Sequence, residues 1–156
     1  MLTLTSYLKN EAGDFVEVST VRTPPADPFD VEGALVVTVS GVEFMGLRHW
    51  DYVDQLWAYL VDTFVKFRAT GQAETTFPDQ PLEFRLARRG PLVLLSLGYK
   101  GEYRRATVDE KKLAAAFVDA ATHFFLNMIR LLPDEAVVYH ESLQGVASLR
   151  QAYGLT

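Results

Sequence analysis

Three histidines, His49, His123 and His140, are the side chains best suited to proton transfer or metal ligation near neutral pH. Asp119 and His123 stand four residues apart, the spacing at which two ligands on one helix face share a metal. The same polar side carries Lys112 and Arg130, so an exposed helical ion pair is the better expectation. His49 precedes the first predicted helix, where it would join the N-terminal hydrogen bonding. The run His140-Glu141-Ser142 holds three chemically apt side chains in a row. Helical neighbours point about 100° apart, so the run does not assemble a nucleophile with its base.

Asp51, Asp54 and Asp62 suggest acid–base carboxylates. General acid–base work needs a carboxyl in a cleft with a displaced pKa. The helix period places all three on the solvent face of a helix spanning 51–69, opposite Val53, Leu56, Trp57, Leu60, Phe64 and Phe67. They read as a solvated acidic face that is a candidate protein-contact surface. Trp50 and Trp57 share the direction of the apolar stripe and read as core, Trp50 lying nearest its edge. The aromatics Trp57, Phe64, Phe117 and Phe124 converge between sheet and helices, and a small-molecule pocket or an active site there is the competing expectation.

The composition narrows the chemistry. The 156 residues, 49% hydrophobic and 22% charged, fit one globular domain over 1–156. With no cysteine there is no disulfide, thiolate nucleophile or sulfur-bound metal. Fifteen Lys and Arg against twenty Asp and Glu leave a net charge of −5, which argues against nucleic acid and is compatible with a basic protein partner or simply with solubility. Glycines stand singly at turns, with no phosphate cradle or dinucleotide fingerprint, and no cofactor is expected. The first residues, "MLTLTSYLKNEAGDF", carry neither a basic nor an apolar leader, and no apolar run is long enough for a membrane, so a cytoplasmic protein is expected.

Elements must hold these residues in place. "LTLTSYLK" and "DFVEVSTV" alternate apolar and polar across a turn, as a hairpin does. "RTPPADPFD" (22–30) holds three prolines and no period, and reads as a surface connection. "ALVVTV" and "VEFMGL" flank Ser40-Gly41, a second hairpin. After the helix, "ATGQAETTFPDQP" reads as a loop, and "LEFRLAR", "PLVLLSL" and "EYRRATV" as strands. A helix over 109–132 is apolar on two adjoining faces and needs cover on both sides. A last helix within 134–153 supplies one cover, with Gly145 expected against Ala114–Ala116. The order of four strands, helix, three strands and two helices implies an α+β fold. Its largely antiparallel sheet of about seven strands would carry the helices mainly on one face.

"PLVLLSL" does not alternate. If Leu92 and Leu94 point to the core, Val93, Leu95 and Leu97 form an apolar patch on the open face, with Arg85, Arg104 and Arg105 as a polar rim. The proline segment folded over it through Phe29, a homodimer, or another protein would cover such a patch.

"HWDYVDQLW", "FPDQPLEF" and an ending with "FF", "LLP" and "LRQAYG" make residues 43–153 resemble small bacterial proteins of contact-toxin immunity and similar accessory roles. The resemblance implies a bacterial cytosolic α+β protein that binds another protein, and supplies no catalytic residue. The leading expectation is a non-enzymatic binding module, of the immunity or secretion-chaperone kind, whose partner is a basic toxin or a second copy of the chain.

Overall fold

The computed structural model describes all residues, 1–156. The chain is α+β, with three helices and nine strands in two antiparallel sheets. The first sheet has the order β2-β1-β3-β4, from β1 (Leu2–Lys9), β2 (Phe15–Glu17), β3 (Glu32–Val39) and β4 (Val42–Met45), with the short β5 (Asp51–Tyr52) pairing with the start of β3. The β3–β4 turn is Ser40-Gly41, both at positive φ (51° and 80°), the conformation that matches the strand twist. The second sheet is a meander of β6 (Gln72–Thr76), β7 (Glu83–Arg89), β8 (Leu92–Tyr99) and β9 (Glu102–Asp109). Edges β4 and β9 adjoin without pairing, and Arg104 crosses the seam to the Phe44 carbonyl at 3.4 Å.

The arrangement departs from a single sheet of seven strands. Residues 72–76, expected as loop, form β6, because "QAETT" finds the backbone of β7 in full register from Gln72↔Ala87 to Thr76↔Glu83. That pairing is tertiary, and the local sequence carries little strand preference.

Helix α1 (Val53–Thr70) ends where Gly71, at φ +85°, donates its N–H to Phe67. Helix α2 (Glu110–Leu131) starts from Asp109, whose carboxylate accepts the Lys112 N–H at 3.0 Å. Helix α3 (Ala136–Ala152) packs on both. Gly145 approaches Val61 on α1, not Ala114–Ala116 on α2. A Cβ added there would lie 2.7 Å from the Val61 methyl, so the missing side chain sets the α1–α3 distance.

Both sheets and all three helices contribute to one core. At its centre the Trp57 ring stacks on Phe124 (5.8 Å) and leans on Phe117 (5.3 Å), and Phe117 stacks on Phe64 (4.7 Å). The indole N–H donates to the Ser6 hydroxyl at 2.9 Å, so this polar group is satisfied in the interior. The predicted aromatics do converge, but onto one another. The void nearest them is lined by hydrophobic side chains alone and holds about 30 Å³. That is room for a water-sized guest, and apolar cavities of this kind stay dry.

Strand β8 reverses the expected parity. Val93, Leu95 and Leu97 are buried to 0–2% exposure, while Leu92 is 41% exposed. A run apolar at both parities does not reveal its inner face by hydrophobicity. The neighbours decide it: Leu95 lies opposite Leu86 and Ala106, and Val93 opposite Val108, whereas Ser96 lies between Arg85 and Arg105. The open apolar patch of Val93, Leu95 and Leu97 is therefore absent, and with it the ground for a dimer through that face. Nor does residue 29 cover anything, since Phe29 is 72% exposed.

Candidate functional site

The three aspartates separate in the structure. Asp51 is 2% exposed, not solvated. It belongs to β5, ahead of the helix, so the helical period never applied to it. Its carboxylate accepts backbone N–H groups from Tyr52 (2.7 Å), Asp79 (3.1 Å) and Gln80 (2.9 Å), tying the start of α1 to the β6–β7 loop. The Gln80 side chain returns a bond to the Trp50 carbonyl. "FPDQP" thus serves as the second half of a two-loop clasp, which no local pattern announced.

Asp54 is half-buried and accepts the Tyr139 hydroxyl of α3 at 2.9 Å. Burial holds its carboxyl above the usual carboxylate range, and the charge of Asp30 adds to that. Burial and Asp54 together push the Tyr139 phenol far up. Of the three, only Asp62 lies on the exposed face as expected.

Other predicted residues find different partners. His123 pairs with Glu17 (Nε2 to Oε1, 3.0 Å), and Asp119 lies 3.9 Å from Arg150, so the i, i+4 pair does not form. His49 accepts the Gly46 N–H through Nδ1 at 2.9 Å, closing a 3₁₀ turn ahead of α1. Burial and then Arg48 lower its pKa. Arg85 binds Glu74 and Glu83 on the outer face of the second sheet, and Arg104 spans the β4–β9 seam, so neither rims an apolar patch.

What comes together is one acidic side of the molecule. Val53 donates its N–H to Val31, the Gln55 side chain reaches the Phe29 carbonyl at 3.4 Å, and Tyr139 holds Asp54. These contacts draw together the proline segment, the start of α1 and the start of α3. Residues 24–33, 49–65 and 131–149 carry nine of the twenty acids and none of the fifteen Lys and Arg. The charges act on one another. Asp27 and Glu32 keep the Asp30 carboxyl high after its partial desolvation, and Asp30 is the main influence raising the Tyr52 phenol.

Apolar side chains stand out of this acidic ground. Phe29 is 72% exposed, Val137 74% and Val138 56%. The Phe29 backbone is nonetheless held, its N–H bonded to the Asp27 carboxylate at 2.9 Å. On the same side an open recess of about 350 Å³ is lined by Glu32, Arg48, Trp50, Asp51, Tyr52, Asp79 and Gln80, so one guanidinium borders the acidic ground. Lys9 covers one Trp50 face, its Nζ 3.7 Å from the ring centroid. The apolar members of this face were hidden because "PADPFD" and "DEAVVYHE" look locally like a turn and an ordinary helix start. The signal that could have shown them is the absence of any base from three segments that the fold joins.

No helix is long and apolar enough to cross a membrane. The chain matches no family model, no curated protein and no solved structure.

Proposed function

We propose that the chain is a non-enzymatic protein-binding module whose contact face is the acidic side around Phe29, Val137 and Val138. The observation that carries this reading is the Phe29 ring, 72% exposed on a backbone bonded to the Asp27 carboxylate, in a segment that carries Asp27, Asp30 and Glu32 and no Lys or Arg. A contiguous exposed apolar patch marks an interaction site, and the proposed partner would join Phe29, Val137 and Val138 in one contact. A carboxylate surround steers and selects a cationic partner. The occupant is a basic segment of another protein, with apolar residues for Phe29 and the two valines and Lys or Arg for Asp27, Asp30, Asp134 and Glu135. A toxin neutralised by an immunity protein, or a secreted client held by a chaperone, presents a surface of this kind. The closed aromatic core, with room for about 30 Å³, favours this reading over a buried small-molecule site, which needs roughly 300 Å³ or more.

Calorimetric titration with two synthetic 14-residue peptides of equal positive charge, one of Leu and Lys and one of Ser and Lys, tests the proposal. The Leu/Lys peptide should bind the more tightly. Its affinity should fall at least tenfold in Phe29→Ser, and steeply with added salt. Equal binding of the two peptides, with no effect of Phe29→Ser, would reduce the face to unspecific charge attraction and end the proposal.

A further inference from the structure

An unpaired strand edge lies elsewhere, on residues distinct from the acidic side. Strand β2 pairs with β1 only across Tyr7, Leu8 and Lys9. Beyond Glu17 the chain turns away as a 3₁₀ turn (Val18–Thr20) and is pinned to α2, where Arg130 donates to the Val18 and Val21 carbonyls and His123 pairs with Glu17. On its other side β1 is paired with β3 throughout Leu2–Leu8. Residues Leu2–Ser6 therefore keep one edge with no backbone partner. Such edges are ordinarily blunted by a charge, a proline or a bulge, or covered by a helix or loop. "LTLTS" has no charge, proline or bulge.

Along Leu4–Ser6 the open edge faces helix α2. Between it and α2 runs a groove of about 320 Å³, with Leu4, Thr5 and Ser6 on the strand side and Ala116, Asp119 and Ala120 on the helix side. The two alanines, four residues apart on α2, keep the groove wide. Glu17 and His123 close one end.

We infer that this groove binds an extended peptide segment of another protein by strand addition to Leu2–Ser6, with a Lys or Arg of the peptide directed at Asp119 and Glu17. An added strand lies about 4.8 Å from its neighbour and satisfies the orphan N–H and C=O groups, while alternate side chains enter the groove. Five residues at about 3.3 Å each match the length of the open edge. Small or β-branched side chains fit against Leu4, Ala116 and Ala120. The charge preference follows from Asp119, 79% exposed although 3.9 Å from Arg150, and from Glu17, whose partial burial is outweighed by the Ser19 hydroxyl and amide and by His123, which favour its ionised form. Helix α2 walls the groove, so a single extended chain enters where the edge of a folded sheet from a second copy would collide. The site shares no residue with the acidic face.

The test is selection from a random dodecapeptide display library on the immobilised full chain, run in parallel on Ala120→Trp, Asp119→Arg and Phe29→Ser. Wild type and Phe29→Ser should enrich the same β-forming basic sequences. Enrichment should fall at least tenfold on Ala120→Trp, which fills the groove. Asp119→Arg changes a side chain that is 79% exposed and should cause a similar fall, with the far-ultraviolet circular dichroism of wild type retained. The winning peptide, titrated into labelled protein, should give cross-strand nuclear Overhauser effects to Leu2–Ser6. No enrichment above bare support, equal enrichment on the groove variants, or winners lost only on Phe29→Ser would each overturn the inference.

Discussion

Two carboxylates occupy corresponding places in the first turns of α1 and α2, and each accepts a tyrosine hydroxyl from α3. Tyr139 donates to Asp54 at 2.9 Å, and Tyr153 donates to Glu110 at 2.7 Å. The difference is a cation. Arg88 meets Glu110 with two bonds, 2.7 and 2.9 Å, and its guanidinium lies over Phe67. Arg88 therefore holds the Glu110 carboxyl below its ordinary range against the effect of burial, while Asp54, with Asp30 as its charged neighbour, sits above its own. One end of the molecule completes its ion pairing internally. The other has no cation bonded to Asp54 and carries exposed apolar groups nearby, the combination on which the proposed basic partner rests.

The largest expected effect tests whether Asp51 belongs to the scaffold of the acidic side or to its contact surface. Asp51→Ala would strand three partly buried backbone donors and should cost about 2–3 kcal/mol in urea unfolding. A loss below about 0.5 kcal/mol would return Asp51 to the solvated set.

Glu110→Gln comes next. It keeps the size of the side chain but removes charge from the Arg88 bonds. The loss should be about 1–2 kcal/mol near pH 7, the lower end applying because Arg88 is about one-third exposed. Since the folded-state pKa of Glu110 is depressed, its contribution is present above the ordinary glutamate value and is lost as pH falls through the folded value. Melts at descending pH should therefore show the variant converging on wild type. A deficit that stays constant down to pH 2–3 would mean that the clasp is steric.

Asp54→Asn should run the other way. A raised folded-state pKa means that protonation favours the fold. The contribution is full below the ordinary aspartate value and is lost as pH rises through the raised one. The amide oxygen still accepts from Tyr139 without the charge, so at neutral pH the variant should be as stable as wild type or gain up to about 0.5 kcal/mol. The gain should disappear in acid. A clear loss at pH 7 would show an unrecognised cation near Asp54 and remove the contrast with Glu110.

These pairs also mark how far the sequence could be read. The three helices lie within a few residues of their expected spans, because long periodic segments and capping residues such as Asp109 and Gly71 are local signals. The Ser40-Gly41 hairpin was legible for the same reason. Strand β6, the inner face of β8, the Asp51 clasp and the partners of His123 and Asp119 were not, since each depends on residues brought from elsewhere in the chain. Asp51 is the sharpest case. Its place on a helical wheel was irrelevant once the helix began at Val53. The negative charge was visible as a total, but its concentration on one side required knowing that residues 24–33, 49–65 and 131–149 adjoin.

The most direct measurement of the central claim is a nuclear magnetic resonance titration of isotope-labelled chain with the Leu/Lys peptide. Shifts are expected at Asp27–Val31, in the first turns of α1 and at Asp134–Glu141, with the outer face of the second sheet unmoved. Perturbations spread evenly over both ends, or centred on Arg85, Arg105 and their neighbours, would contradict it.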